Sequence, residues 1–359
     1  MNLTNFGWNN NWQDQYDMYQ IASPHKNVTI GRVLLEHKHS YRVITEFGEW
    51  LATPSGHFQY NAQMRRDFPA VGDWVVLEQL PGEEKGIIHS ILPRTSLFSR
   101  KVAGFTVEEQ IIAVNVDHVF LTMSLNKDFN LRRLERYLIA AYDSGANPII
   151  ILTKKDLCND VSSYLSQVET ICFGVPVYTV SSFTGEGIDE LHQLLADGKT
   201  AALLGSSGVG KSSLTNALCG QDVMTVQMIR EDDDKGRHTT THRELFQLPH
   251  GGLLIDTPGM REFQLWNNTD SLDSGFSDIE SFATHCRFRD CEHKKEPGCA
   301  VLAAIEEGTL EQERYDNYFK LKRELAYIER KTNAQAQAAE RNKWKQVTKQ
   351  IRNKSGKKR

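Results

Sequence analysis

The chain has no apolar run approaching the length of a membrane-spanning helix, which excludes a helical membrane protein. Its first residues, Met1-Asn2-Leu3-Thr4-Asn5-Phe6, lack both a basic start and an apolar core. They are not read as a secretory signal, and a cytoplasmic location with no membrane partner is expected. Cysteine is scarce, with six in 359 residues. In a chain of cytosolic character that argues against a disulfide framework and for metal ligation or core packing. A strong net charge is also lacking, but the formal value of −4 hides an asymmetry, because residues 341–359 carry many Lys and Arg and no acid. What remains is an ordinary globular composition, 40% hydrophobic and 25% charged, long enough for two or three domains with real cores. A monomer is expected.

Five segments follow from the changes in pattern. Residues 1–27, rich in Asn, Gln, Tyr and Trp, read as a polar leader that is mobile or loosely docked. Residues 28–98 hold short β-like runs, such as Tyr41-Arg42-Val43-Ile44 and Asp73-Trp74-Val75-Val76-Leu77, separated by turn signals including Pro54-Ser55-Gly56 and Pro81-Gly82. Five such strands in roughly seventy residues suggest a small β-barrel of the OB-fold kind. There Arg65 and Arg66 with nearby aromatics either face RNA or are merely solvated. Residues 99–270 alternate strand and helix, which predicts a mostly parallel sheet covered on both faces. Residues 271–330 read as a small helical domain. Residues 331–359 lose apolar periodicity and read as a basic arm, either ordered by RNA or simply solubilising.

The α/β segment carries the chemistry. Gly205-Ser206-Ser207-Gly208-Val209-Gly210-Lys211-Ser212 fits G-x-x-x-x-G-K-[ST], with the apolar Ala201-Ala202-Leu203-Leu204 before it and Ser213-Leu214-Thr215-Asn216-Ala217-Leu218 after it. In such a loop the backbone N–H groups and the helix N-terminus cradle phosphate. Lys211 reaches the β- and γ-phosphates and Ser212 ligates Mg²⁺. Thr153-Lys154-Lys155-Asp156 resembles the [NT]-K-x-D element, in which a carboxylate accepts from both guanine N1–H and the exocyclic amine. Asn126-Lys127-Asp128-Phe129 is a near match, set aside because its acid comes one position early. Ser181-Ser182 begins a loop like the S-A-K element that contacts the guanine carbonyl. Within Gly236-Arg237-His238-Thr239-Thr240-Thr241 the register is open, and Thr240 is chosen to complete the Mg²⁺ shell. In Asp256-Thr257-Pro258-Gly259, Asp256 holds a Mg²⁺ water and the Gly259 N–H senses the γ-phosphate. Met260 stands where a water-orienting glutamine is usual, and a thioether cannot do that work.

Cys286-x₄-Cys291-x-His293-x₅-Cys299 supplies a Cys₃His set suited to one structural zinc. His285 is a possible substitute ligand. Cys158, Cys172 and Cys219 are scattered and read as core residues.

These motifs run in rotated order, with the base-reading elements ahead of the phosphate loop. The whole resembles the circularly permuted YjeQ/RsgA family of bacterial GTPases over residues 28–330, with the leader outside the resemblance. The resemblance implies an N-terminal OB-fold, a central permuted P-loop GTPase domain and a C-terminal helical zinc domain. It also implies GTP hydrolysis, stimulated by the small ribosomal subunit, during late assembly of that subunit. Partners are then the subunit, its rRNA and other assembly factors. It supports His238 as the group that positions the attacking water, although that residue could instead pack or contact rRNA. A P-loop ATPase or kinase with a zinc module, and a non-catalytic GTP-dependent RNA-binding switch, are the alternatives.

Overall fold

The structure is a computed structural model that describes residues 1–25, 27–38, 40–101, 109–172, 174–221, 243–256, 272–273 and 275–326. It divides into two compact units, residues 1–264 and 265–359.

The barrel of the first unit is built from β1 (Thr29–Glu36), β2 (Tyr41–Thr45), β3 (Gly48–Pro54), β4 (Trp74–Gln79) and β5 (Lys85–Ile91). Strand order is β1-β2-β3-β5-β4, and β4 pairs back onto β1 to close it. Only β3 and β5 run parallel, which is the OB-fold arrangement. Pro54, whose missing N–H cannot extend a ladder, ends β3. The Ser55 side chain then accepts from Phe58 N and starts α2 (Gly56–Asn61). Val33, Val43, Trp50, Val75, Leu77 and Ile88 fill the interior.

The N-terminal segment is ordered, against the expectation of a mobile leader. A 3-10 turn at Leu3–Phe6 leads to α1 (Asn10–Ala22), whose N-cap Asn9 accepts from Trp12 N. Leu3, Phe6 and Trp12 are buried in the same core as Trp74. Trp8 meets Trp74 edge-on at 4.8 Å. The asparagines that look like disorder in the sequence are helix caps, and the tryptophans are anchors. Arg32 ties the segment down. Its guanidinium donates to Phe6 O at 2.5 Å, Gly72 O at 3.2 Å and Asn115 O at 3.1 Å. Burial lowers its pKa to about 10, so it stays charged at neutral pH.

A hairpin of β6 (Leu97–Lys101) and β7 (Glu109–Val114) leads into the α/β sheet. Its strands are β8 (His118–Ser124), β9 (Asn147–Thr153), β10 (Val177–Thr179), β11 (Thr200–Leu204), β12 (Glu244–Gln247) and β13 (Leu253–Asp256). The order is β10-β9-β8-β11-β13-β12, parallel except for the antiparallel strand β12. Period-two alternation sends successive residues to opposite faces. Phe120, Ile149, Ile151, Leu203 and Leu254 pack with α5 (Ile188–Leu194) and α6 (Lys211–Cys219). Val119, Leu121, Ile150, Leu152 and Ile255 pack on the other face with α3 (Leu131–Ser144) and α4 (Val161–Glu169). Strand β12 also pairs with barrel strand β1 at Leu35↔Glu244, so barrel and sheet form one ladder.

In the second unit, α7 (Ser277–Ala283), α8 (Ala300–Glu306) and a helix over 312–326 form a small cluster. Arg314 pairs with Asp278 at 2.6 Å and lies 4.6 Å over the Phe276 ring. The basic arm at 331–359 lies outside the described residues.

Candidate functional site

The phosphate-loop motif, residues 205–212, joins β11 to α6 at the carboxyl end of the parallel strands. Gly205 is required there, because a Cβ would lie 2.4 Å from Thr122 O on the neighbouring strand β8. Gly208 and Gly210 take φ of +80° and +96°, and Gly210 precedes the first turn of α6. Leu214 N already bonds Gly210 O. The first-turn amides ahead of it, with Ser212 and Ser213, therefore face the loop as a positive helix end. Lys211 Nζ donates to Gly205 O at 2.7 Å and Ser206 O at 2.6 Å, which holds the ammonium across the loop.

Thr153 and Lys154 attach to the same loop. Thr153 ends β9, and its hydroxyl donates to Val209 O at 2.5 Å. Lys154 takes a left-handed φ of 61° and donates from Nζ to Gly208 O at 2.8 Å. Asp156 lies in the 3-10 turn Lys155–Leu157 and accepts from Ser181 Oγ at 2.6 Å. That hydroxyl accepts in turn from Phe183 N and Thr184 N. Lys155 pairs with Glu186 at 2.5 Å, a second bond between the two loops. Ser182, next in the chain after Ser181, is half-buried. The sequence-predicted residues of 153–156, 181–182 and 205–213 thus converge at one end of the sheet. The backbone of Asp256 ends β13, the neighbour of β11 in the same sheet. His238, Thr240 and Gly259 lie outside the described residues.

Arg133 and Asp128 escaped the sequence reading. Arg133, in the first turn of α3, donates to Ser206 Oγ at 2.7 Å, and that hydroxyl donates to Asp128 Oδ2 at 3.0 Å. Arg133 and Asp128 also pair at 2.9 Å. The near-match motif set aside in the sequence is thus a contact of the phosphate loop. The signal for it was position, since it follows β8, the strand beside β11, where α/β sheets bind ligands.

In the second unit, Cys286, Cys291, His293 and Cys299 each bring one ligand atom within 4.8 Å of the others. His293 Nδ1 lies 3.5 Å from Cys286 Sγ and 3.4 Å from Cys299 Sγ. His293 adopts φ 58°, and its carbonyl accepts from Tyr315 OH at 2.5 Å. Ala300 N donates to Cys286 Sγ at 3.3 Å. A set of three thiols and one imidazole fits a closed tetrahedral centre. His285 is turned elsewhere, with Nδ1 2.9 Å from Ser281 O.

A family model described as RsgA GTPase matches residues 91–266. "Small ribosomal subunit biogenesis GTPase RsgA 1" of Oceanobacillus iheyensis is 47% identical over 322 residues, covering 89% of this chain and 92% of its own. "Small ribosomal subunit biogenesis GTPase RsgA 2" of Listeria monocytogenes is 46% identical over 353 residues, covering 98% of this chain and 97% of its own. The N-terminal segment, which the motifs left outside the resemblance, therefore falls largely within that match. The crystal structure of YjeQ from Thermotoga maritima superposes with a TM-score of 0.63 at 28% identity, covering 83% of this chain and 99% of that one.

Proposed function

Since this chain belongs to the RsgA GTPase family, we propose that it hydrolyses GTP to GDP and phosphate on the small ribosomal subunit during late assembly, in the cytoplasm. The observation that carries the nucleotide reading is the bond between Asp156 and Ser181, on a loop that Thr153 and Lys154 fasten to the phosphate loop. A carboxylate aimed at the base and a cradle for phosphates are thereby held as one body. Asp156 reads guanine N1–H and the exocyclic amine, since it keeps acceptor capacity beyond its Ser181 bond. Lys154 lays its stem along the base. The Ser181-Ser182 loop reads the carbonyl through backbone N–H.

At the phosphate end, the 205–213 amides bind the α- and β-phosphates and Lys211 exchanges its carbonyl partners for phosphate oxygens. Magnesium is assigned beside them, with Ser212, in the first turn of α6, and Asp256, whose backbone ends the adjacent strand, as residue types suited to a hard cation. When bound, it neutralises charge on the β- and γ-phosphates. We assign His238 to positioning the attacking water, Thr240 to the cation shell and Gly259 N–H to the γ-phosphate. What supports the histidine is that Met260 fills the place of the usual glutamine. Cys286, Cys291, His293 and Cys299 hold one structural zinc, and Arg65, Arg66 and the basic arm contact rRNA.

Turnover of GTP with purified small subunits, large subunits or buffer alone tests this reading. Stimulation by small subunits alone is expected, and equal rates in all three overturn it. His238→Ala should cut turnover while nucleotide affinity holds.

A further inference from the structure

A second group of metal-type ligands, made of different residues from the cysteine cluster, lies on the barrel. His25 follows α1, while Glu78 and His89 come from the paired strands β4 and β5. The His25 and His89 rings stack with centroids 4.0 Å apart and planes 26° from parallel. His89 Nε2 lies 3.2 Å from Glu78 Oε2. One ligand atom from each of the three residues lies within 4.8 Å of the other two. Donors on a shared ion at bonds of ~2.0–2.2 Å stand roughly 3.3–4.2 Å apart, so the set closes when the two stacked rings rotate to turn a nitrogen each toward one ion.

The strand pairing supplies an independent reason to single out His89. Ser90 pairs with Val76 and Ile88 with Leu77, so the ladder skips His89, the extra residue of a β-bulge. Bulges re-aim a side chain at the cost of a ladder position. Here that side chain meets a carboxylate on one strand and an imidazole from another segment.

We propose that His25, Glu78 and His89 form a divalent transition-metal site that straps the N-terminal helix α1 to the barrel. Two imidazole nitrogens with one carboxylate select Zn²⁺, Ni²⁺, Cu²⁺ or Co²⁺ over Mg²⁺ and Ca²⁺. Three protein donors leave the ion a further position for water. His25 also lines an open pocket of about 450 Å³ with Asp17, Gln20 and Ile21.

The test titrates the full-length protein, purified with its cysteine cluster loaded, with Zn²⁺ by calorimetry and by metal content after gel filtration. Wild type is expected to bind one equivalent more than His25→Ala, His89→Ala and Glu78→Gln, or the same equivalent at least tenfold more tightly. Glu78 is half-exposed, so the glutamine variant keeps the fold. His57→Ala, which removes a histidine paired with Asn61 elsewhere on the barrel, binds as wild type. Zn²⁺ also slows amide exchange over residues 10–22 in wild type and not in His25→Ala. If wild type takes up no zinc beyond the cysteine cluster, or the three variants match it, the proposal is overturned.

Discussion

The guanidinium of Arg133 donates to the Ser206 hydroxyl at 2.7 Å, so the first turn of α3 and the phosphate loop are directly bonded. Ser206 also supplies one of the two carbonyls that hold the Lys211 ammonium. The contact therefore sets the shape of the backbone that aims the lysine. Ser206→Ala and Arg133→Met each remove a charge-assisted bond worth about 1.5 kcal/mol. GTP affinity should fall roughly tenfold in each, with kcat less affected. The double variant should be no worse than either single one, as a double-mutant cycle of nucleotide affinity will show.

Asp156→Asn replaces an acceptor pair with one acceptor and one donor. GTP binding should weaken by at least tenfold, and xanthine nucleotide should become the preferred ligand in a competition assay. Retained preference for GTP would remove Asp156 from base reading. It would also revive the ATPase or kinase alternative if ATP then competed.

Gly205→Ala puts a methyl group against Thr122 O, where the distance would be 2.4 Å. Strand backbone cannot yield as a flexible side chain can, so β8 and β11 must separate. A loss on the order of 2 kcal/mol in thermal unfolding is expected, together with lost nucleotide binding. Gly56→Ala at the start of α2 meets nothing within 4 Å and serves as the neutral comparison.

Two half-buried histidines make stability depend on pH. Burial lowers the pKa of His118 and of His192, with Asp117 and Asp189 respectively pulling the other way. Each also leaves a buried Nδ1 without a partner among the described residues. The folded-state values lie below the ordinary imidazole value of about 6.5, so the unfolded chain takes up protons first as pH falls. Stability is therefore full above that value and is lost as pH drops through it. The unfolding midpoint should decline between pH 7 and pH 5, and His118→Gln and His192→Gln should flatten the decline.

Removing metal from the cysteine cluster should unfold the second unit. Zinc in small sites contributes on the order of 10–16 kcal/mol to folding. Chelation, or Cys291→Ser, should abolish amide protection over 277–306, and re-addition of zinc should restore it only without the substitution.

Much of this was legible in the chain because the signals were local. A phosphate loop is contiguous, and so is the Cys₃His run. The 153–156 element and the phosphate loop could be placed at strand ends because β9 and β11, which precede them, are apolar runs. The misses share a cause too. The role of the N-terminal tryptophans depends on Trp74, some sixty residues away in sequence, and no periodicity reports such a partner. Asp128 was set aside by comparison with a motif it does not belong to, while its actual partner Ser206 lies on another strand's loop. Nothing in the residues around Arg32 marks it for burial. Only the fold brings the three carbonyls that make its burial tolerable.

The single rung at Leu35↔Glu244 changes what kind of object the first unit is. Arg42 reinforces it by pairing with both Glu49 of the barrel and Glu244 of β12. Strand β12 follows residues 222–242, which include Thr240, proposed above for the cation shell. A lever needs a rigid arm and a shared pivot, and here the barrel is the arm and this rung the pivot. Any displacement of β12 must either break the rung and the Arg42–Glu244 pair or swing β1 with it. Barrel and sheet are thus joined by backbone pairing and an ion pair rather than by a linker alone.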